Sequence, residues 1–182
     1  MLDHFITLNG LRFHYLEWPH DPSTGSGQTM LCVHGFAGNA LYWDVFAEAM
    51  SKRYRVLALD QRGHGDTEWP PAGEYGAEHA FNDLDAFVNA LDLNRFVLVG
   101  ASMGGRASIV YLHRRPERVG KFVIVDAGPE FNPVGGRRVM GGWRDSQDVF
   151  ASREQAFEQL RAVNQRPPLE HHRTRVFNNL KP

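Results

Sequence analysis

The chain has 182 residues, of which 42% are hydrophobic, 12% aromatic and 23% charged, and these fractions are those of an ordinary globular domain. Its formal net charge of −1 produces no field that would attract nucleic acid or an anionic membrane, so neither partner is expected. Its apolar runs are far shorter than the roughly 20 residues that cross a bilayer. The single cysteine, Cys32, lies in an apolar run and is predicted to be a buried small hydrophobe. With no basic, apolar leader at the amino end, the sequence predicts a cytoplasmic protein.

The chain opens with a predicted hairpin. Two short runs, 5–8 and 11–16, flank Asn9-Gly10, a dipeptide typical of two-residue hairpin turns. From residue 30 onward, short apolar runs alternate with segments whose apolar residues recur at helical spacing. The predicted strands are 30–33, 55–59, 95–99 and 121–125, and the predicted helices are 39–52, 79–93 and 103–114.

This alternation predicts an α/β fold: a mostly parallel, doubly wound sheet with helices on both faces, preceded by an antiparallel N-terminal hairpin. After Asp126 a glycine-rich passage without strand signal leads to two predicted helices, 153–163 and 169–180. Ser152 is a favourable N-cap for the first of these helices. We therefore divide the chain into an α/β core, residues 1–129, and a helical segment, residues 130–182.

The most informative motif lies at residues 100–105, which read Gly-Ala-Ser-Met-Gly-Gly. It follows a predicted strand and opens a predicted helix. A G-x-S-x-G sequence in that context is typical of a sharp turn that exposes the serine oxygen at the carboxyl edge of a sheet. The amino end of the helix, which begins at Met103, offers N–H groups to a developing negative charge. Ser102 is therefore the candidate nucleophile.

A second motif, residues 34–38 with the sequence His-Gly-Phe-Ala-Gly, follows the first strand after the hairpin. Together with the serine turn, it makes the sequence resemble the α/β-hydrolase family, in which a His-Gly loop at this point supplies the second donor of an oxyanion hole. The resemblance implies that the backbone N–H groups of Phe36 and Met103 hold the oxyanion. It also implies that His34 and Gly35 structure the loop rather than act in proton transfer.

Residues 60–67, Asp-Gln-Arg-Gly-His-Gly-Asp-Thr, are similar to the D-x-R-G-x-G stretch of α/β-hydrolases that have a lid. The resemblance assigns Asp60 and Arg62 a loop-structuring role, and their spacing favours a local ion pair or an Asx-type turn. A serine nucleophile argues against the epoxide hydrolases and haloalkane dehalogenases of the family, which use an aspartate. Esterase, lactonase, carbon–carbon bond hydrolase and perhydrolase-type relatives stay open. The segment 130–182 occupies the place of the family's cap.

The acid and the general base of a triad are not evident in the sequence. The family's sheet has eight strands and six are predicted here, so the last two strands, with the usual acid and histidine, would follow Pro182; the sequence is expected to be truncated after the cap. Asp126, at the end of the sixth strand, matches a minority position of the acid, although an ordinary loop aspartate is the simpler interpretation. His34, His64 and the pair His171-His172 are weak candidates to replace the base.

The remaining histidines and the single cysteine do not suggest a second catalytic or metal site. The hairpin histidines, His4, His14 and His20, are expected to lie away from the carboxyl edge where Ser102 stands. One cysteine and scattered histidines lack the paired spacings of zinc or iron sites, so no metal and no cofactor is expected.

These features predict a serine hydrolase that acts on an ester or related acyl bond of a small molecule, with a general-base histidine absent from this chain. Because a serine hydroxyl is a weak nucleophile without a base, the isolated chain is expected to be nearly inactive. Two alternatives remain: a non-catalytic protein that binds a small molecule in the same pocket, and an inactive fragment that needs a complementing chain. The apolar sixth strand, residues 121–125, would then be exposed to such a chain or to a second copy.

Overall fold

The computed structural model describes residues 1–20, 23, 27–130, 134, 136–137, 141, 149–163 and 168–180. The chain divides into two compact units, Met1–Gly128 and Pro129–Pro182. The first unit holds a mostly parallel sheet with helices, which confirms the predicted α/β fold. No helix within the described ranges is both long enough and apolar enough to cross a membrane. The assignment of residues 130–182 as a cap stays a prediction.

The predicted hairpin is present. Strands β1 (Leu2–Leu8) and β2 (Leu11–Trp18) pair antiparallel, with Leu8 opposite Leu11. Asn9 and Gly10 have φ of +50° and +79°, as the tight turn between two such strands requires.

The sheet continues with parallel strands. These are β3 (Thr29–Val33), β4 (Arg55–Leu59), β5 (Phe96–Ala101) and β6 (Val119–Val125). The strand order is β1-β2-β4-β3-β5-β6, and β2 is antiparallel to β4. The second half of β2 pairs with β4, with Tyr15 opposite Leu59, so His14 lies just beyond the carboxyl end of β4. The prediction that His14 lies away from the carboxyl edge of the sheet is wrong for this reason.

Three helices follow strands of the sheet. They are α1 (Asp44–Ser51), α2 (Ala77–Ala90) and α3 (Met103–Arg114), and short 3₁₀ turns cover Ala40–Trp43 and Pro116–Arg118. The predicted helix 39–52 is thus a 3₁₀ turn followed by α1. Its first N–H group, at Ala40, donates to the carboxylate of Asp60 instead of remaining at an open helix end.

The core lies on both faces of the sheet, because alternate residues of a strand point to opposite sides. One face packs against buried residues of α2 and α3, including Leu84, Phe87 and Tyr111. The other face packs against Trp43 and Ala47 of the α1 region. Cys32 is fully buried on this second face, as predicted.

The second unit contains α4 (Arg153–Val163) and α5 (Leu169–Asn179). Ser152 Oγ accepts the backbone N–H of Gln155 at 3.1 Å, which confirms Ser152 as the N-cap of α4. The Gln155 side chain in turn accepts the N–H of Ala151 at 2.7 Å. The side chains of His171 and His172 lie outside the described residues.

Candidate active site

The two sequence motifs meet at one point of the sheet. From β3 the chain turns to β4 on one side, whereas β5 lies on the other side of β3. In open α/β sheets, ligands bind outside the carboxyl ends of the strands where the order reverses in this way. His34 directly follows β3 and Ser102 directly follows β5, so both motifs border this position.

Ser102 occupies a sharp turn between β5 and α3. Its φ of +50° and ψ of −113° lie outside the ordinary regions for a residue with a side chain, and such a conformation costs about 1–3 kcal/mol. The Ser102 N–H donates to the carbonyl of Val125 on the neighbouring strand at 2.8 Å, and the Ser102 carbonyl accepts the N–H of Arg106 at 3.0 Å. Ser102 is exposed, so the turn presents its hydroxyl to solvent at the amino end of α3.

Close backbone contacts bring the loop after β3 against this turn. A Cβ added to Gly35 would lie 3.2 Å from the Cβ of Ser102. A Cβ added to Gly104 would overlap the carbonyl oxygens of Val33 and His34. These two glycines therefore let the loop and the first turn of α3 approach each other with the serine between them.

The loop itself forms a tight turn over residues 35–38. The N–H of Gly38 donates to the carbonyl of Gly35 at 3.1 Å, and Ala37 has φ of +54°. Phe36 is the second residue of this turn and is 40% exposed. Its ring contacts the ring of His64 edge-on, with centroids 6.1 Å apart.

His34 is fully buried beneath the turn, and both ring nitrogens are bonded. Nδ1 donates to the carbonyl of Gly35 at 2.7 Å, whereas Nε2 accepts the backbone N–H of Gln61 at 3.1 Å. Burial lowers the pKa of His34 to about 4, so the ring is neutral at pH 7. The Gln61 side chain also donates to the His34 carbonyl at 2.6 Å. These bonds hold the loop and leave no ring nitrogen for proton transfer.

Asp60 is a second buried anchor and accepts three N–H groups. Oδ1 accepts the backbone N–H of Ala40 at 2.5 Å. Oδ2 accepts the ring Nδ1–H of His14 at 2.6 Å and the backbone N–H of Asp66 at 2.9 Å. The role of His14 is not evident from the sequence, because only the antiparallel pairing of β2 with β4 brings it to Asp60.

Arg62 does not pair with Asp60, so the local ion pair, one of the two contacts expected from their spacing, is wrong. Its guanidinium instead reaches α2 and binds both carboxylate oxygens of Asp83, at 2.6 and 2.9 Å. Both residues are buried, and Arg62 also donates to the carbonyl of Glu74 at 2.5 Å. Arg62 pairs with Asp83 of α2 because two parallel N–H bonds to one carboxylate are stronger than a single hydrogen bond to Asp60 would be.

His14, Asp60 and Asp66 have the composition of a metal site, with one ligand atom from each within 4.8 Å of the others. The Asp60 oxygen on this side already accepts N–H groups from the other two residues. The arrangement is therefore a hydrogen-bonded network rather than an open coordination site.

Asp126 follows β6 with φ of +53°, and its carboxylate is exposed. No described side chain forms a hydrogen bond with this carboxylate or with Ser102 Oγ. The ring Nδ1 of His64 is bonded to the Arg62 carbonyl at 2.9 Å. The structure thus places Asp126 after the strand next to β5, without bringing a described histidine between it and Ser102.

Comparison with known proteins identifies the family of the chain. The sequence profile of the α/β-hydrolase fold matches residues 28–176. The chain belongs to the α/β-hydrolase family. Among solved structures, E-2-(acetamidomethylene)succinate hydrolase superposes with a TM-score of 0.85 at 23% identity, over 97% of this chain and 63% of that one.

Two curated relatives in the family have named activities. N-formylmaleamate deformylase of Pseudomonas putida is 31% identical over 121 residues, which are 66% of this chain and 43% of that protein. The 2-(acetamidomethylene)succinate hydrolase of Mesorhizobium japonicum is 33% identical over 105 residues, which are 58% of this chain and 37% of that protein. The chain therefore spans less than half the length of these relatives.

Proposed function

We propose that this chain carries the nucleophile and the oxyanion hole of a serine hydrolase that cleaves an acyl bond of a small molecule. The observation that supports this most is the position of Ser102, strained and exposed at the amino end of α3. The 35–38 turn packs against it through Gly35. A strained, exposed serine beside two sets of backbone N–H groups is the arrangement that acyl transfer requires.

In the proposed reaction, Ser102 Oγ attacks the acyl carbon while a base takes its proton. The N–H groups of Phe36 and Met103 donate to the oxyanion of the tetrahedral intermediate. The leaving group departs with the proton, and water then releases the acyl group from Ser102. A histidine whose side chain is not among those described acts as the base, and Asp126 is our candidate for the acid that orients it.

The named relatives support a substrate class. The names N-formylmaleamate deformylase and 2-(acetamidomethylene)succinate hydrolase both refer to a compound with an N-acyl group. We therefore include small amides beside esters as substrates of the proposed hydrolase. Hydrolysis of an ester and hydrolysis of an amide by a serine nucleophile both pass through a tetrahedral oxyanion, so the same residues can catalyse both reactions.

Reaction with a fluorophosphonate probe tests the proposed nucleophile. Because no described histidine contacts Ser102 Oγ, the chain is treated with the probe in the absence and in the presence of imidazole, which can take the proton. We expect mass spectrometry to locate the label on Ser102, with faster labelling in imidazole. Ser102→Ala should remain unlabelled.

The matched control is Ser51→Ala, which removes a hydroxyl that donates to the Glu48 carbonyl at the end of α1. This variant should be labelled as fast as the unaltered chain. A label that persists in Ser102→Ala, or no label on Ser102 under either condition, contradicts the proposal. If such an unlabelled chain nevertheless bound small carboxylates or amides, the non-catalytic alternative would be favoured.

A further inference from the structure

Residues that follow β4 hold the chain on both sides of the 35–38 turn that presents Phe36. Before the turn, Gln61 bonds to the ring and to the carbonyl of His34. After the turn, the carboxylate of Asp60 accepts the N–H of Ala40. The Asp60 carboxylate therefore anchors the segment that directly follows the turn.

His14 is bonded to Asp60 at the carboxylate and at the backbone. Its ring Nδ1–H donates to Asp60 Oδ2 at 2.6 Å, and its carbonyl accepts the Asp60 N–H at 3.0 Å. Thr67 completes the connection, because its hydroxyl accepts the N–H of His14 at 2.9 Å and donates to the Asp60 carbonyl at 2.8 Å. The His14 side chain is only 5% exposed, so solvent cannot replace these bonds easily.

Three carboxylates face the imidazole, one from β1 and two from the loop that follows β4. Asp3 of β1 lies 3.3 Å from Nε2, and the other two belong to Asp60 and Asp66. Burial by itself lowers the pKa of His14, but the hydrogen bond and charge of Asp60, with the charges of Asp3 and Asp66, outweigh it and raise this pKa. When the ring loses its proton, the carboxylates keep their mutual repulsion and lose the cation between them.

We propose that His14 is a positioning residue of the oxyanion hole: through Asp60 it holds Ala40, directly after the 35–38 turn that carries Phe36. The catalytic consequence rests on the proposed function, whereas the effect on the turn does not. As the pH rises through the titration of His14, the Asp60–Ala40 bond weakens and the turn loosens.

Amide hydrogen exchange tests the effect on the turn, with protection factors measured between pH 5.5 and 8.5. His14→Leu removes the donor to Asp60, whereas His14→Asn offers an N–H near the position of Nδ1 and does not titrate. We expect the leucine variant to lower the protection of Ala40 about tenfold, the size of one lost hydrogen bond to a charged group. The asparagine variant should restore most of this protection and show none of the decline with pH seen in the unaltered chain.

Two controls separate a local effect from general instability. Leu98, buried in β5, reports opening of the whole sheet, and its protection should stay the same while that of Ala40 falls. His4→Asn changes a histidine of the same hairpin that instead lies 3.3 Å from Glu17, and it should behave as the unaltered chain does. If His14→Leu does not fold, the pH dependence of His14→Asn decides the test.

The proposal is overturned if Ala40 keeps its protection in the folded leucine variant, or if the decline with pH persists in His14→Asn. The rate of fluorophosphonate labelling at Ser102 is measured in the same variants. Any fall in this rate that follows the titration of His14 in the unaltered chain should be absent in His14→Asn. Failure of all labelling would count against the nucleophile, whereas the exchange result would still decide the role of His14.

Discussion

Ser102 is held in a backbone conformation that opposes stability. Its φ of +50° and ψ of −113° are accessible to glycine at little cost, whereas alanine carries the same strain as serine. We expect Ser102→Gly to exceed Ser102→Ala in free energy of unfolding by about 1 kcal/mol, after the extra freedom of glycine in the unfolded chain is subtracted. Urea denaturation of the two variants measures this difference.

The same pair of substitutions at Ser51 provides the control. Ser51 is the last residue of α1, with helical neighbours, so glycine there should be less stable than alanine. The sign of the glycine effect should therefore reverse between the two sites. A Ser102→Gly variant less stable than Ser102→Ala would mean that the turn does not store strain.

The buried His34 is expected to make the free energy of unfolding depend on pH. Its pKa in the folded chain, about 4, lies below the ordinary 6.5, so folding favours the neutral ring. The contribution is complete above pH 6.5 and is lost as the pH falls toward 4, which amounts to about 3 kcal/mol across this window. His34→Gln keeps a donor and an acceptor but does not titrate.

The stability advantage of the unaltered chain over His34→Gln should therefore shrink by about 3 kcal/mol as the pH falls from 6.5 to 4. Denaturant unfolding at several pH values measures it. His113→Gln, at an exposed position near the end of α3, should show no comparable change. An advantage that stays constant with pH would contradict the buried, neutral assignment of His34.

At the scale of elements, one buried ion pair ties the loop after β4 to α2. Arg62 and Asp83 are 7% and 4% exposed, and Asp83 also accepts an N–H from the Asn9 side chain at 2.9 Å. Asp83→Ala should lower the free energy of unfolding by about 3–5 kcal/mol, because it leaves a buried guanidinium without its carboxylate. The double variant Arg62→Met/Asp83→Leu should lose less, since no uncompensated charge remains.

Denaturant titrations of the single and double variants test this order. Glu78→Ala breaks the exposed pair between α2 and Arg114 and should change stability little, because solvent screens it. A double variant that is no more stable than Asp83→Ala would show that packing, rather than the orphaned charge, dominates the loss.

The contacts that sequence analysis predicted are short-range. Helix α3 has the predicted bounds, and Ser152 caps α4, because both follow from neighbouring residues. His14 and Asp60 are 46 residues apart, and Arg62 and Asp83 are 21 apart. Those pairs depend on strand order and helix docking, for which the local pattern carries no signal. The sequence therefore indicated the serine turn and the loop beside it, but not the network that holds the loop.

On the scale of the whole molecule, the two edges of the sheet differ in character. At one edge, β1 alternates partly buried and exposed residues and carries Asp3 and His4. At the other edge, among the described residues, β6 has a neighbour on one side only. Phe122, Val123 and Val125 of β6 are 60%, 49% and 40% exposed. Exposed apolar side chains beside unpaired backbone groups favour pairing with another strand, whereas charged edge residues discourage it. The charged residue of β6, Lys121, precedes these apolar residues.

We therefore expect the chain to self-associate through β6 as its concentration rises, and sedimentation velocity over a concentration series measures this. Val123→Lys places a charge on the edge and should shift association to higher concentration. Val45→Lys makes the same change at a residue of α1 that is 60% exposed, and should leave association unaltered. If instead Val45→Lys abolishes association and Val123→Lys does not, the chains meet through α1, and unpaired strand groups are not what drives them together.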